Sequence, residues 1–174
     1  MKDTKIKKIV ITAAFMALTC IATMIIQIPS TACGYVNLGD CMVLLSAWLL
    51  GPWYGACAAG IGSALADLLS GYAAYAPITL LIKCTMAILA GLIIKGKATS
   101  SLPSTWKKLF SGFVAEIIMI GGYFLYEAIL LGTYLPALSS VPGNIVQGIF
   151  GIISASILMQ CLVKSHATKA FSYF

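Results

Sequence analysis

The chain consists of long apolar runs separated by short polar stretches, and most of the runs are long enough to cross a membrane. A spanning helix needs about 20 predominantly apolar residues. Because lipid offers the backbone no hydrogen bonds, each span is expected to be an α-helix. Breaks rich in Pro, Gly and polar residues predict six helices. Their approximate ranges are 6–28, 38–50, 53–70, 76–94, 109–131 and 144–163.

The connections between these helices are mostly short. A polar loop, 30–37, is expected after the first helix, and Asp40 is placed to cap the start of the second. The second helix is short for a span and is stopped by Gly51-Pro52. The other breaks lie at 71–75, 95–108 and 132–143, and the last of these contains Pro136 and Pro142.

Composition places the whole chain in lipid. Of its 174 residues, 60% are hydrophobic and 9% are charged, and the mean hydropathy is +0.99. A soluble domain carries about 25% charged residues. This chain has too few charged residues to cover a surface that faces water. We therefore predict an all-α membrane protein, with one compact bundle of about six transmembrane helices formed by the single domain 1–174.

The basic residues predict the orientation. All eleven are Lys, and ten of them lie at or before the start of the first helix, in the 95–108 connection or after the last helix. By the positive-inside rule these three regions, and hence both termini, are cytoplasmic. The net charge of +6 could suggest nucleic-acid binding, but the lysines form no basic stripe, so we expect no nucleic-acid partner.

Neither metal chemistry nor catalysis has the residues it needs. The six cysteines form no C-x-x-C pair, and His166 is the only histidine. Phosphate-loop, zinc-protease and serine-hydrolase motifs are absent from the sequence. We therefore expect no metal, no cofactor and no enzyme, although a membrane enzyme remains a minor alternative. A chain without an energy-coupling motif is expected to work with a partner.

Small residues are spaced for close helix contacts. Ala13 and Ala17 lie one turn apart on the first helix, and the third helix carries two rows of Gly, Ala and Ser. Small-xxx-small spacing lets helix backbones approach closely. Packing inside the bundle explains this pattern, and a face for a partner protein is the alternative, favoured most for the first helix.

Polar and ionisable side chains converge at the outer ends of several helices. Charge within a membrane is costly and usually faces a cavity or a charged partner. A rise of about 1.5 Å per residue places these groups at similar depths. They are Asn37, Asp67, Lys83, Tyr123, Glu127, Asn144 and Gln147, with Glu116 deeper on nearly the same face as Glu127.

Two interpretations of this convergence remain open. In one, Asp67, Lys83 and Glu127 form buried ion pairs that hold the bundle together. In the other, these groups and nearby tyrosines line a pocket open to the outside, as polar and aromatic groups do in small-molecule sites. The tyrosines that could stack on a flat ring are Tyr35, Tyr72, Tyr75, Tyr123, Tyr126 and Tyr134. The sequence leaves undecided whether Asp40 and Asp67 bind ligand or only cap and brace helices.

The order of these features resembles the substrate-binding S component of an energy-coupling factor (ECF) vitamin transporter. The most specific blocks are Asn-Leu-Gly-Asp at 37–40 and Gly-Ser-Ala-Leu-Ala-Asp at 62–67. Further matches are Leu-Gly-Pro-Trp-Tyr-Gly at 50–55, Tyr-Phe-Leu-Tyr-Glu at 123–127 and Val-Pro-Gly-Asn at 141–144. The resemblance covers nearly the whole chain and is strongest to the hydroxymethylpyrimidine or pyridoxine branch.

The resemblance implies a six-helix, multi-pass protein of the bacterial plasma membrane. It would capture a vitamin from outside and dock on a transmembrane T component driven by two ATP-binding cassette ATPases, which use the ATP. The family's alanine face carries over to Ala13 and Ala17, although Ile21 stands where a third small residue would extend it. The family's pocket carries over to Asn37, Lys83, Tyr123, Glu127, Asn144 and Gln147, with Tyr35, Asp67, Tyr75 and Glu116 as further candidates. A riboflavin or pantothenate carrier, or a structural subunit without ligand, remains an alternative.

Overall fold

The structure is a computed structural model that describes residues 2–29, 35–95 and 104–171. Five of the described helices are long and apolar enough to cross a membrane, in agreement with the predicted all-α membrane bundle. The elements are α1 (Lys2–Ile25), β1 (Gln27–Pro29), β2 (Tyr35–Asn37), α2 (Gly39–Leu69), α3 (Ala76–Lys95), α4 (Thr105–Leu131), α5 (Tyr134–Leu138), α6 (Val141–Lys164) and a final 3₁₀ helix (Ala167–Phe171).

Helix α2 joins the predicted second and third helices into one element with a sharp bend. Gly51 has φ 75° and ψ −177°, which interrupts the helix, and Pro52 follows it. The Ser46 hydroxyl donates to the Gly55 carbonyl at 3.2 Å, although nine residues of straight helix would separate them by about 13 Å. The two halves therefore fold back on each other, and the described residues form five long helices, one of them bent, rather than the six that we predicted.

A two-stranded hairpin occupies part of the connection that we expected to be a polar loop. Strands β1 and β2 are antiparallel, and Gln27 pairs with Asn37. Helix α1 ends at Ile25 rather than at residue 28. The reason lies in Pro29, because a proline disfavours helical conformation in the residue before it, here Ile28. Residues 30–34 of the predicted loop lie outside the described residues.

The small residues of the two predicted faces divide between the core and the surface. In the second half of α2 they are buried, and a Cβ added to Gly62 would lie 2.5 Å from a backbone carbonyl of α1. This close approach is the packing role expected of small residues between helices. Ala13 and Ala17, in contrast, are exposed on α1. The exposed pair leaves a smooth face that nothing within the described bundle covers.

Lysines mark one end of the bundle. The Lys8 ammonium lies 5.5 Å from the centre of the Tyr54 ring, near the bend of α2. Lys95, at the end of α3, has its ammonium 3.2 Å from the position that a Cβ on Gly51 would take. The start of α1, the bend of α2 and the end of α3 thus lie together, as the predicted topology requires, and the polar site lies toward the opposite end.

Candidate functional site

A buried ion pair between Lys83 of α3 and Asp40 of α2 lies at the centre of the candidate site. The two side chains are 2% and 1% exposed, and Lys83 is the largest fully buried side chain. The Gln147 amide of α6 donates to the second Asp40 oxygen at 2.6 Å. Three helices that are distant in sequence therefore meet at one carboxylate, whose hydrogen bonds offset the cost of burying charge.

Asp40 does not have the capping role that we expected. Leu38 is the residue that precedes α2, and no side-chain capping bond is formed there. Of the two interpretations left open, the one with ion pairs among Asp67, Lys83 and Glu127 names the wrong partners, because the ion pair formed by the described residues is Lys83–Asp40. The sequence held one signal for this arrangement, the shortness of the predicted second helix. A short helix begins below the outer surface, which brings Asp40 to the depth of Lys83.

The hairpin is fastened to the same cluster. The backbone N–H of Asn37 in β2 donates to the Gln147 side-chain oxygen at 2.7 Å. The Asn37 side chain in turn accepts a hydrogen bond from the Gly39 N–H at 2.8 Å, at the start of α2. Gln147 therefore binds the hairpin with its oxygen and Asp40 with its nitrogen, which fixes the orientation of its amide.

Glu116 is a second buried carboxylate beside the ion pair, and it is not hydrogen bonded. It is 4% exposed, and neither of its oxygens has a partner among the described residues. It packs against α6 where Cβ atoms on Gly148 and Gly151 would lie 3.1 and 3.3 Å from its oxygens. The two glycines thus make the space that the carboxylate occupies. A buried polar group left without a partner is costly, so it indicates a functional position more strongly than a structural one.

A layer of tyrosines covers the cluster on its outer side. The Tyr35 hydroxyl of β2 donates to Asp67 at 2.6 Å, and its ring lies 4.7 Å from that of Tyr72. Burial raises the pKa of Tyr35 above its ordinary value, and the hydrogen bond to Asp67 adds to this effect. Tyr35 therefore stays protonated as a donor. The Tyr75 ring lies 6.5 Å from Tyr123 and continues the layer toward α4.

Glu127 is held by two residues that immediately precede other helices, Tyr75 before α3 and Ser140 before α6. It is 3% exposed and accepts hydrogen bonds from the Tyr75 hydroxyl at 3.4 Å and from the Ser140 hydroxyl. Ser140 immediately precedes α6 and was not among the residues singled out from the sequence as binding candidates.

Tyr123 connects this outer layer to the ion pair. The Lys83 ammonium lies 5.7 Å from the Tyr123 ring centre, and the Tyr123 hydroxyl shares a 3.0 Å hydrogen bond with Thr79. Asn144 is 8% exposed and lies one turn before Gln147 on α6. The structure thus brings together Lys83, Asn37, Gln147 and Tyr123 around Asp40, with Glu127 and Tyr35 in the layer above.

The arrangement is closed, which differs from the outward-open pocket expected from the sequence. Lys83, Asp67, Glu127 and Gln147 are each less than 5% exposed. A cleft of about 210 Å³ lies between the hairpin and α6, and its wall includes Asn37 and Gln147 among apolar side chains. These two residues therefore link the buried cluster to a space beside the hairpin.

Comparison with known proteins agrees with this architecture. A family model described as "ECF-type riboflavin transporter, S component" matches residues 3–164. The chain belongs to the ECF-type S component family. A solved structure, "Structure and mechanism of the S component of a bacterial ECF transporter", aligns with TM-score 0.73 over 92% of this chain and 97% of that one. At 19% identity, this likeness shows the S-component fold alone.

Two curated relatives are similar in sequence. An uncharacterised protein of Pyrococcus woesei is 37% identical over 83% of this chain and 93% of its own length. The thiamine precursor transporter HmpT of Lactococcus lactis subsp. cremoris (strain MG1363) is 27% identical over 98% of this chain and 96% of its own.

Membership in the family defines the general role. This S component is a multi-pass protein of the bacterial plasma membrane, and it is the substrate-binding part of a transporter rather than an enzyme. The family implies a small-molecule vitamin substrate, a T component and ATPase partners.

Proposed function

We propose that this S component captures hydroxymethylpyrimidine or pyridoxine from outside the cell and delivers it through a T component driven by two ATP-binding cassette ATPases. The residues proposed to bind the ligand are Asn37, Lys83, Tyr123, Glu127, Asn144 and Gln147, supported by Tyr35, Asp67, Tyr75 and Glu116. The chain itself uses no cofactor, and the ATP is consumed by the partner subunits.

The surplus of carboxyl groups in the cluster is the observation that carries this proposal. Asp40, Asp67, Glu116 and Glu127 are buried with Lys83 as the single amine among them. Carboxyl oxygens accept hydrogen bonds, so the site favours a ligand rich in donors. An aminopyrimidine offers an amino group and a hydroxyl, and pyridoxine offers several hydroxyls. Pantothenate is disfavoured because its own carboxylate would add a negative charge to the cluster.

Aromatic contacts supply the other half of the proposed recognition. Tyr75 lies within 6.5 Å of Tyr72, Tyr123 and Tyr126, counted between ring centres. Aromatic rings prefer offset or edge-to-face packing at such distances, and a planar heteroaromatic ring can join the set. A ligand of this size would have to replace some of the hydrogen bonds now made within the cluster. Glu116 could accept a hydrogen bond from the ligand without breaking one, because its oxygens have no hydrogen-bond partner among the described residues.

Riboflavin is the second candidate, because the matching family model carries riboflavin in its description. Against it stands the similarity to a thiamine precursor transporter along nearly the full length of both chains. A structural subunit without ligand is the outcome that would remain if neither class bound.

The exposed alanine face supports the docking part of the proposal. Ala13 and Ala17 lie one turn apart on α1 and are exposed, as are Ala14 and Leu18, while Thr12 and Phe15 of the same helix are buried. A smooth helix face permits close contact with a partner helix in the membrane. We propose that this face contacts the T component, with Ile21 at its outer limit.

Native mass spectrometry of the full chain in detergent tests the ligand. Hydroxymethylpyrimidine, pyridoxine, riboflavin, pantothenate and thiamine would be added separately. We expect selective binding of hydroxymethylpyrimidine or pyridoxine, weakened by Glu127→Gln and Asn144→Ala. Gln160→Ala is the matched control, because it removes an amide from the exposed far end of the same helix as Asn144. Selective riboflavin binding would favour the second candidate, and folded protein that binds none would favour the structural alternative.

A further inference from the structure

A second polar cavity lies at the opposite, lysine-bearing end of the bundle. Its volume is about 310 Å³, and it opens between the first turn of α4 and the last turn of α6. Its lining consists of Thr105, Lys108, Gln160, Val163 and Lys164. It lies far from the tyrosine layer and plays no part in the proposed vitamin site.

Lys108 is the unusual member of this lining. It is only 7% exposed, although lysine is almost never this buried without a partner. The lining contains no carboxylate, and the ion pair formed by the described residues, Lys83–Asp40, is elsewhere. The largely buried Lys108 side chain therefore lines a cavity whose described lining offers no carboxylate to balance its charge.

Two further features make the cavity attractive to an anion. It lies at the first turn of α4, where backbone N–H groups and the helix dipole favour negative charge. Lys164 contributes a second ammonium and lies in the last turn of α6, where it offsets the negative end of that helix. Thr105 and Gln160 add a hydroxyl and an amide that can donate hydrogen bonds.

The surroundings of the cavity indicate that the anion belongs to a lipid. Trp106, next to Thr105, is 81% exposed, and tryptophan is enriched at the headgroup level of membranes. Phe110 and Phe113 on α4 are about 60% exposed, and Ile157 and Leu158 on α6 are 56% and 43% exposed. An apolar surface thus continues from the cavity along both helices into the hydrocarbon region.

We propose that this cavity binds the phosphate group of an anionic membrane lipid, with Lys108 and Lys164 contacting the phosphate and an acyl chain lying along α4 and α6. The charge of the cavity selects the headgroup, and the exposed apolar side chains receive the tail. The bound lipid holds the inner ends of α4 and α6 together. This inference is independent of which vitamin the outer site binds.

Lipid retention by the purified full chain, without vitamin, tests the proposal. Native mass spectrometry would compare phosphatidylglycerol with phosphatidylcholine of the same acyl chains, added to delipidated protein in nonionic detergent. We expect bound phosphatidylglycerol in preference to phosphatidylcholine. Lys108→Gln should reduce its retention about tenfold, the size expected for losing a hydrogen bond to a charged group. Lys107→Gln removes the same charge from an exposed neighbouring position and should have little effect.

Further arms keep the test decisive. Lys108→Arg preserves the charge and should preserve retention, and Lys164→Gln changes an exposed cavity residue if Lys108→Gln does not fold. Equal loss in Lys107→Gln and Lys108→Gln would overturn the proposal in favour of diffuse surface charge. Displacement of the lipid by millimolar inorganic phosphate would overturn the lipid source in favour of free phosphate. If Lys108 instead proved necessary only for assembly with the T component, the cavity would be a docking point for an acidic side chain, and the lipid proposal would be wrong.

Discussion

Replacing Asp40 by its amide should lower the stability of the protein, whereas replacing Glu116 by its amide should not. Asp40 and Glu116 are both buried, at 0% and 4% exposure, and either change to Asn or Gln conserves volume. Asp40 pairs with Lys83 and accepts from Gln147, whereas neither Glu116 oxygen has a described hydrogen bond. The structure therefore predicts that only the first change breaks an interaction.

The expected magnitudes follow from those contacts. Breaking a buried ion pair by removing one partner costs about 3–5 kcal/mol, because the other charge is left uncompensated. For a chain of this length that corresponds to a melting temperature lower by about 6–20 °C, at about 2–4 °C per kcal/mol. Glu116→Gln should be neutral or slightly stabilising, because a neutral amide is less costly to bury than an unpaired carboxylate.

Thermal unfolding of the ligand-free chain in detergent measures both changes. The double variant Asp40→Asn/Lys83→Met is the control, because removing both charges should restore much of the lost stability. Equal melting temperatures for Asp40→Asn and the unmodified chain, or a larger loss in Glu116→Gln, would refute the assignment of Asp40 as the partner of Lys83. A Glu116→Gln variant that is stable yet binds vitamin weakly would separate ligand binding from stability at that position.

The remaining predictions concern packing, the hairpin and assembly. Gly62→Ala should destabilise the chain by about 1–3 kcal/mol, because its Cβ would meet a backbone carbonyl of α1 at 2.5 Å. Gly121→Ala, which has open space around it, should instead raise stability by up to about 1 kcal/mol. Thermal unfolding compares the two variants. Tyr35→Phe leaves Asp67 without its described hydrogen bond and should cost about 1–3 kcal/mol, and an unchanged melting temperature would contradict this. Ala17→Trp should abolish co-purification with the T component while leaving vitamin binding intact, and loss of both would indicate misfolding rather than a blocked interface.

Features that depend on local composition could be predicted from the sequence. The apolar runs, the break at Gly51-Pro52 and the lysine-marked end of the bundle all follow from the residues that occupy each segment. The break appeared where it was predicted, but the two segments that flank it form one bent helix. Whether a bend counts as a loop or as an interrupted helix is settled by a single glycine dihedral, which the sequence permits but does not specify.

The composition of the polar cluster could also be anticipated, but its pairing could not. Conversion of residue spacing into depth correctly grouped Lys83, Gln147 and Tyr123, because helical rise is constant. It did not reveal that Asp40 reaches Lys83, since that contact depends on how far the hairpin and the start of α2 descend into the bundle. Nor did it reveal that Gly148 and Gly151 leave room for Glu116.

The sequence by itself therefore determined that the chain lies in lipid, where its helical segments are, which ends of them are cytoplasmic by charge and which family it resembles. These properties depend on the hydropathy and charge of residues that are neighbours in the sequence. The tertiary structure decided which carboxylate pairs with Lys83, which one is left without a hydrogen bond and which lysine lines the cavity at the other end. Those outcomes depend on the rotation and depth of helices that are far apart in the chain, and only the packed bundle sets both.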